Sequence, residues 1–456
     1  MKRTIPALLA LSLTLSTAPV FAADAADPAA APTADAAQSI AAAQTGTQAD
    51  PEKEPGNLET ENTGNAEGTE GASDPSEANK VVDKQEGIGY TVSNATQNFS
   101  GEAQKLSLED AITRMQTESV KAKTAQTNKQ GDQNKADGYG DSYSSIREAL
   151  KYMDGMSLDM QYSLQDSVNE TNKQILSLQR NFARDHIETN YQAELNAIKL
   201  DTIKTYYGLL QAEDNLRIQR ENLQVQKNIL DMTQKKFQQG VVARLDLLTA
   251  QNAVVKAEND VLSANNMVAQ AKMGVNTLLE NPLMQEIQLT TSYEQLPLPT
   301  ISLTDAINSA MKNRNELTSV EFALKVQTIN YASTRVRYGT RSTRYKDETV
   351  NMMQIQQACD AMPGTIEMDI RTRYADIHEK YEAVAAAKQT LEFAQEGYRI
   401  ANVSYNAGVN TISDVQEAQV GVHSANLGLS AAIAAYNQAV YEFEIAIGIG
   451  TERISF

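Results

Sequence analysis

The sequence has no tryptophan, a single cysteine (Cys359) and three histidines, His186, His378 and His423. One thiol cannot close an internal disulfide or supply a thiolate metal cluster. The histidines are scattered without ligand spacing and are expected on helix surfaces, so no metal site and no cofactor is expected. Cations are in deficit, with 40 Lys and Arg against 58 Asp and Glu and a formal net charge of −18. A surface of that sign repels phosphate and argues against nucleic acid as a partner. A convergent His/Asp/Ser or Cys/His set and a glycine-rich phosphate loop are both missing, so no enzyme is expected. Beyond the N-terminal segment no run approaches ~18 consecutive apolar residues, which gives no reason to expect a membrane-crossing helix.

What is present begins with an export signal. Lys2 and Arg3 precede a short apolar run and the small-x-small site Val20-Phe21-Ala22, so residues 1–22 read as a secretory signal peptide. No cysteine stands directly after that site, which argues against a lipid anchor. Residues 23–104 hold fifteen acidic and three basic residues among Ala, Thr, Gly and Pro. So little bulky apolar surface cannot offset the entropy of ordering, and the segment is expected to be a disordered acidic linker. GIGYTV is the one place in it with room for an ordered piece.

From Lys105 the chain becomes periodic and duplicated. LSLEDAITRM at Leu106 has a counterpart in ISLTDAINSAM at Ile301, with Ser107 and Ser302 as helix N-caps. The proline-containing stretch 280–300 separates two copies of one unit, 105–285 and 286–456, and this repeat governs the fold. Before the first turn, Leu209, Leu216, Leu223, Leu230 and Phe237 recur at seven, and Ile218, Val225 and Met232 form a second seam displaced by two positions. Two positions turn a helix by about 200°, so the seams face different neighbours. A helix on a globular core carries one stripe; this one has to stand between two others, like a stave. The second copy repeats the pattern with Ile377, Val384, Leu391, Tyr398 and Tyr405 beside Ala386, Phe393 and Ile400.

After each turn, alanines line one face beside larger residues. Ala250, Ala257, Ala264 and Ala271 accompany Val254, Val261, Val268 and Val275, and Ala418 to Ala446 repeat the device. Such stripes permit close knobs-into-holes packing with left-handed supercoiling. The fold class read from this is mainly all-α: long antiparallel coiled-coil helical hairpins in two tandem structural repeats.

The turns themselves nearly coincide: FQQGVVARLDLLTAQ at Phe237 and YNAGVNTISDVQEAQ at Tyr405. Gly240 and Gly408 suit the left-handed residue that ends a helix. Asp246 and Asp414 fall in the first turn of the returning helix, where the helix dipole favours negative charge.

This combination of a duplicated S-L-x-x-A-I start, a long heptad helix, (F/Y)-x-x-G, an aspartate six beyond the glycine, then A-Q, resembles the TolC-like outer-membrane efflux family. The resemblance covers both halves, from Lys105 to Ile449. It implies a tunnel architecture built by a homotrimer, exporting drugs or proteins with an inner-membrane pump and a periplasmic adaptor (membrane fusion protein). The implied location is the cell envelope, at the outer membrane and periplasm. The tips Gly240, Val241, Asp246, Gly408 and Val409 would meet the adaptor. Asp414 and Glu417 fall where the family has acidic rings at the pore aperture, and Tyr405 and Asp246 where it has a tip-locking network. Asn410 stands where the best-known member has an arginine in that network. A solvated, dipole-favoured first turn also accounts for Asp414 and Glu417.

The family inserts two membrane strands per copy, each needing ~9–11 alternating residues. The matching regions here are TNKQGDQNKADGYGDSYSS from Thr127 and the arginine-rich stretch from Ser333 to Gly364. Neither alternates, so little or no β-barrel is expected, with polar loops joining the helices instead. A non-conducting coiled-coil spacer or scaffold of the envelope is the alternative to a duct.

Overall fold

The computed structural model describes residues 99–153 and 155–456. The signal peptide, GIGYTV and nearly all of the acidic linker lie outside the described residues. The linker ends earlier than the sequence suggested, because β1 spans Ser100–Leu106 and pairs in parallel with β2, Gln285–Leu289. Leu106 and Ile287 are buried there and give the pairing an apolar anchor. β2 straddles the 285/286 division and, by its pairing, sits with the first repeat.

The rest of the described chain is helical. The first repeat runs α1 (Leu108–Thr117), α2 (Val120–Met153), α3 (Leu158–Leu164), α4 (Glu170–Gln238) and α5 (Arg244–Leu278). The second runs α6 (Leu303–Asn313), α7 (Asn315–Arg337), α8 (Thr343–Asn406) and α9 (Ile412–Ala446). Ser107 and Ser302 do cap α1 and α6: each hydroxyl accepts a backbone N–H three residues on, from Asp110 at 3.0 Å and Asp305 at 3.1 Å. Copy one is longer at its far end, since α2 has 34 residues against 23 in α7 and α4 has 69 against 64 in α8.

α4 and α5 form one hairpin, α8 and α9 the other, and α4 also packs along α9. The order across the sheet of helices is therefore α5–α4–α9–α8, which gives α4 the two neighbours its two seams require. Ile218 is 2% exposed and Leu209 fully buried, on different flanks of the same helix. One core gathers α1, α4, α5 and β2 around Tyr206, Leu209 and Ile287. A second gathers α6, α8 and α9 around Ile366, Ile370, Tyr436 and Phe443. A third, near the turns, joins Ile229 of α4 to Ala401, Tyr405, Ile412 and Val415.

Of the two regions expected to be polar loops, Thr127–Ser145 is all helix and Ser333–Gly364 is helix except for the link 338–342, a correction with a physical cause. α2 runs through Gly131, Gly138 and Gly140, each costing about 1 kcal/mol against alanine. Burial of Ala125, Ala136 and Ile146 in α2, together with packing of α2 along α4, offsets that cost. α8 likewise continues through Pro363. Met156–Leu164, which alternates like a strand, folds mostly into the short helix α3. No helix among the described residues is long and apolar enough to cross a membrane.

The C-terminal tail returns to the first repeat. Asn190 accepts from the Ile454 N–H at 2.7 Å and donates to its carbonyl at 3.1 Å, while Arg453 holds the buried Asp132 through contacts of 2.7 and 2.8 Å.

Candidate functional site at the hairpin tips

Both tips are built alike from a helix end, five linking residues and a helix start. α4 ends at Gln238 and α8 at Asn406; the next residue caps each helix, and the glycine follows with φ of 72° at Gly240 and 78° at Gly408. The Gly240 N–H donates to Phe237 O at 2.9 Å and the Val241 N–H to Lys236 O at 3.0 Å. Gly408 and Val409 repeat the pair on Tyr405 and Ser404, at 3.1 and 2.9 Å. These paired bonds satisfy carbonyls that the helix end leaves open, and only a left-handed residue permits them. The valines project from the turns, Val241 at 68% and Val409 at 79% exposure.

The aspartates close the returning helices. Asp246 Oδ2 accepts from the Ala243 N–H at 3.0 Å. Asp414 Oδ2 accepts from the Thr411 N–H at 2.7 Å and the Thr411 hydroxyl at 2.9 Å. The Thr411 N–H, then its hydroxyl, hold the Asp414 carboxyl below its ordinary value of 3.8. Glu417 lies one turn further on the same exposed face of α9. The structure thus sets two carboxylates side by side on solvent.

Tyr405, Asp246 and Asn410 do not meet in one network within the chain. Tyr405 is buried at 4% exposure, and its hydroxyl finds no hydrogen-bond partner among the described residues. Asn410 donates its backbone N–H to Ser404 O at 3.3 Å. What ties the tips together is Lys236, which the sequence reading missed. Its Nζ donates to the Tyr405 carbonyl at 2.9 Å and lies 3.5 Å from the centre of the Tyr405 ring. Partial burial pushes its ammonium below the usual lysine range. The signal was available: Lys236 answers Ser404 in the other copy, one of the places where the near-identical turns differ. Further up, Gln419 donates to Asn222 Oδ1 at 3.1 Å and links α9 to α4.

Residues 153–280 match the family model of Outer membrane efflux proteins. The outer membrane protein TolC of Salmonella enteritidis is 22% identical over 311 residues, which is 58% of this chain and 63% of that protein. The chain thus spans just under two thirds of that relative. Among solved structures, CusC superposes with a TM-score of 0.57 at 13% identity, covering 79% of this chain and 95% of that one. The outer membrane protein VceC from Vibrio cholerae gives 0.55 at 13% identity, covering 76% and 97%. Such low identities carry the fold, a TolC-like helical tunnel element, and nothing finer. Residues 153–280 are thus similar to the outer membrane efflux proteins, and the described chain shares the helical fold of the solved channels.

Proposed function

We propose that the chain is the duct component of an envelope efflux or type I secretion assembly. In this reading three copies stand side by side, and the helical hairpins close into a periplasmic tube. A periplasmic adaptor grips the tips, and an inner-membrane pump feeds the tube from below.

One observation carries the reading. The edge helices α5 and α8 each leave an apolar seam uncovered. Leu248, Val255 and Leu262 lie 8, 15 and 22 positions after Gly240; Ile400, Phe393 and Ala386 lie 8, 15 and 22 positions before Gly408. All six are exposed, Val255 at 56% and Phe393 at 67%. The two seams run antiparallel at matched heights, so α5 of one copy fits α8 of the next. Covering each large side chain contributes about 1.5–3 kcal/mol. The same match repeated around an axis closes a ring, as a head-to-tail interface does when its rotation closes.

Asp414 and Glu417 would then form rings of carboxylates around the aperture, focusing a negative potential that favours cations. Gly240, Val241, Asp246, Gly408 and Val409 would present the surface for the adaptor. Asp246 and Asn410 would lock the tips between copies, whereas Tyr405, whose hydroxyl is buried, would hold the turn of its own chain.

The test is disulfide trapping of Val255→Cys with Phe393→Cys in a Cys359→Ser background, with mass measured by light scattering. Covalent trimers on oxidation support the ring; a monomer at high concentration, with no cross-link, removes it. A non-conducting spacer is favoured by the largely helical character of both segments at the places where the family inserts membrane strands. Conductance across a bilayer separates it from a duct.

A further inference from the structure

We propose that the end of the hairpins opposite the tips is a docking face for an anionic bilayer surface. It is occupied by lipid headgroups and outer acyl chain, and is not threaded through the membrane. α4 extends about 100 Å from its tip, and at its start the connectors of the two repeats meet. Asp166 accepts from Arg337 at 3.3 Å, from Arg344 at 2.9 Å and from the Tyr338 hydroxyl, and so binds the link after α7 to the segment after α3.

Around this junction lie large apolar side chains with nothing over them. Tyr152 is 71% exposed, Leu158 and Tyr162 69%, and Val336 89%. Leu158 and Tyr162 are four apart on α3 and share one face. Beside them, the 14 residues from Ser333 to Lys346 contain four arginines and a lysine and no carboxylate. Arg337 and Arg344 are engaged with Asp166, while Arg335 and Arg341 are exposed outside those ion pairs. Asp159 is the opposing charge on α3.

Charge complementarity selects the occupant. A chain of net charge −18 is repelled by an anionic surface over most of its body. The Ser333–Lys346 stretch is a local exception, and it sits with exposed tyrosine and leucine. Tyrosine rings favour the boundary between headgroup and acyl chain, leucine favours the apolar side, and guanidinium groups pair with phosphates. The inference rests on the duct reading only for its multiplicity, because three such ends on one ring would bind together.

The experiment is co-sedimentation of the full chain with vesicles of phosphatidylethanolamine and phosphatidylglycerol, and with vesicles of phosphatidylcholine alone. Measurements run at low and high salt, with light scattering on the same samples. Wild type is expected to bind the anionic vesicles and to lose most of that binding in high salt. Arg335→Ala with Arg341→Ala should weaken binding roughly tenfold, and Leu158→Glu with Tyr162→Glu should abolish it, with helicity unchanged in both. No binding by an intact oligomer, or equal binding by wild type and both variants, overturns the docking face and leaves the duct. Binding by a chain that proves monomeric supports the docking face and removes the duct.

Discussion

Lys236 lies across the tips, its Nζ 3.5 Å from the Tyr405 ring centre and 2.9 Å from the Tyr405 carbonyl. That carbonyl belongs to the last turn of α8, where the helix dipole also favours a cation. Cation–π contacts that are partly desolvated contribute about 1–2 kcal/mol. Lys236→Met should therefore loosen the second turn selectively. Hydrogen exchange should quicken at 404–411 and stay unchanged around Ile366 and Ile370. Unaltered exchange at 404–411 would show that the contact holds nothing.

The glycines at the turns should resist replacement for a backbone reason. A Cβ at Gly408 meets no atom within 4 Å, yet its φ is +78°. Gly408→Ala should cost about 1–2 kcal/mol from conformation alone. Gly428, which also meets nothing but has no positive φ, should gain stability on the same change because it sits within α9. Urea unfolding of the two variants should move the midpoint in opposite directions.

The tail should matter more than its length suggests. Arg453 neutralises Asp132, whose side chain is 11% exposed. Arg453→Ala leaves that carboxylate with Asn190 as its remaining partner and, because Arg453 is itself 38% exposed, should cost about 1–3 kcal/mol. Adding Asp132→Asn should recover part of the loss. A double variant no more stable than Arg453→Ala would refute the stranded charge as the cause.

Strong acid should loosen the far junction. The Tyr338 hydroxyl and the Arg344 and Arg337 guanidinium groups hold the Asp166 carboxyl below its ordinary value of 3.8. A depressed folded value means stability that is present above 3.8 and lost as pH falls through the lower folded value. Asp166→Asn should therefore be less stable than wild type at neutral pH, with the gap closing below that value. A gap that is constant with pH would contradict this.

The proposed acidic rings can be tested electrically. Asp414→Asn with Glu417→Gln should reduce cation selectivity and divalent block in single-channel recordings. Unchanged selectivity means that no ring exists there.

Much of this fold was legible because it is written in short repeats. The displaced seams around Leu209 and Ile218 foretold that α4 has two neighbours, and Gly240, Gly408, Ser107 and Ser302 marked ends that the structure keeps. Thr127–Ser145 was not legible, because its polar residues and glycines carry weak local preference and the helix there is fixed by α4, far away in sequence. β1 was hidden for a similar reason: its partner lies some 180 residues on. Lys236 was not legible from the repeat, because it stands where the copies differ, opposite Ser404. Whether Asp414 and Glu417 do more than finish a helix is a property of several chains together, which a single sequence does not encode.

The helical course of α2 and α8 has a bearing on the order of assembly. Backbone groups that a spanning strand would leave open until a sheet closes around lipid are here satisfied along each helix as it forms. If the far end docks on a bilayer as proposed, the described helices would close their own backbone bonds first and meet that surface already folded.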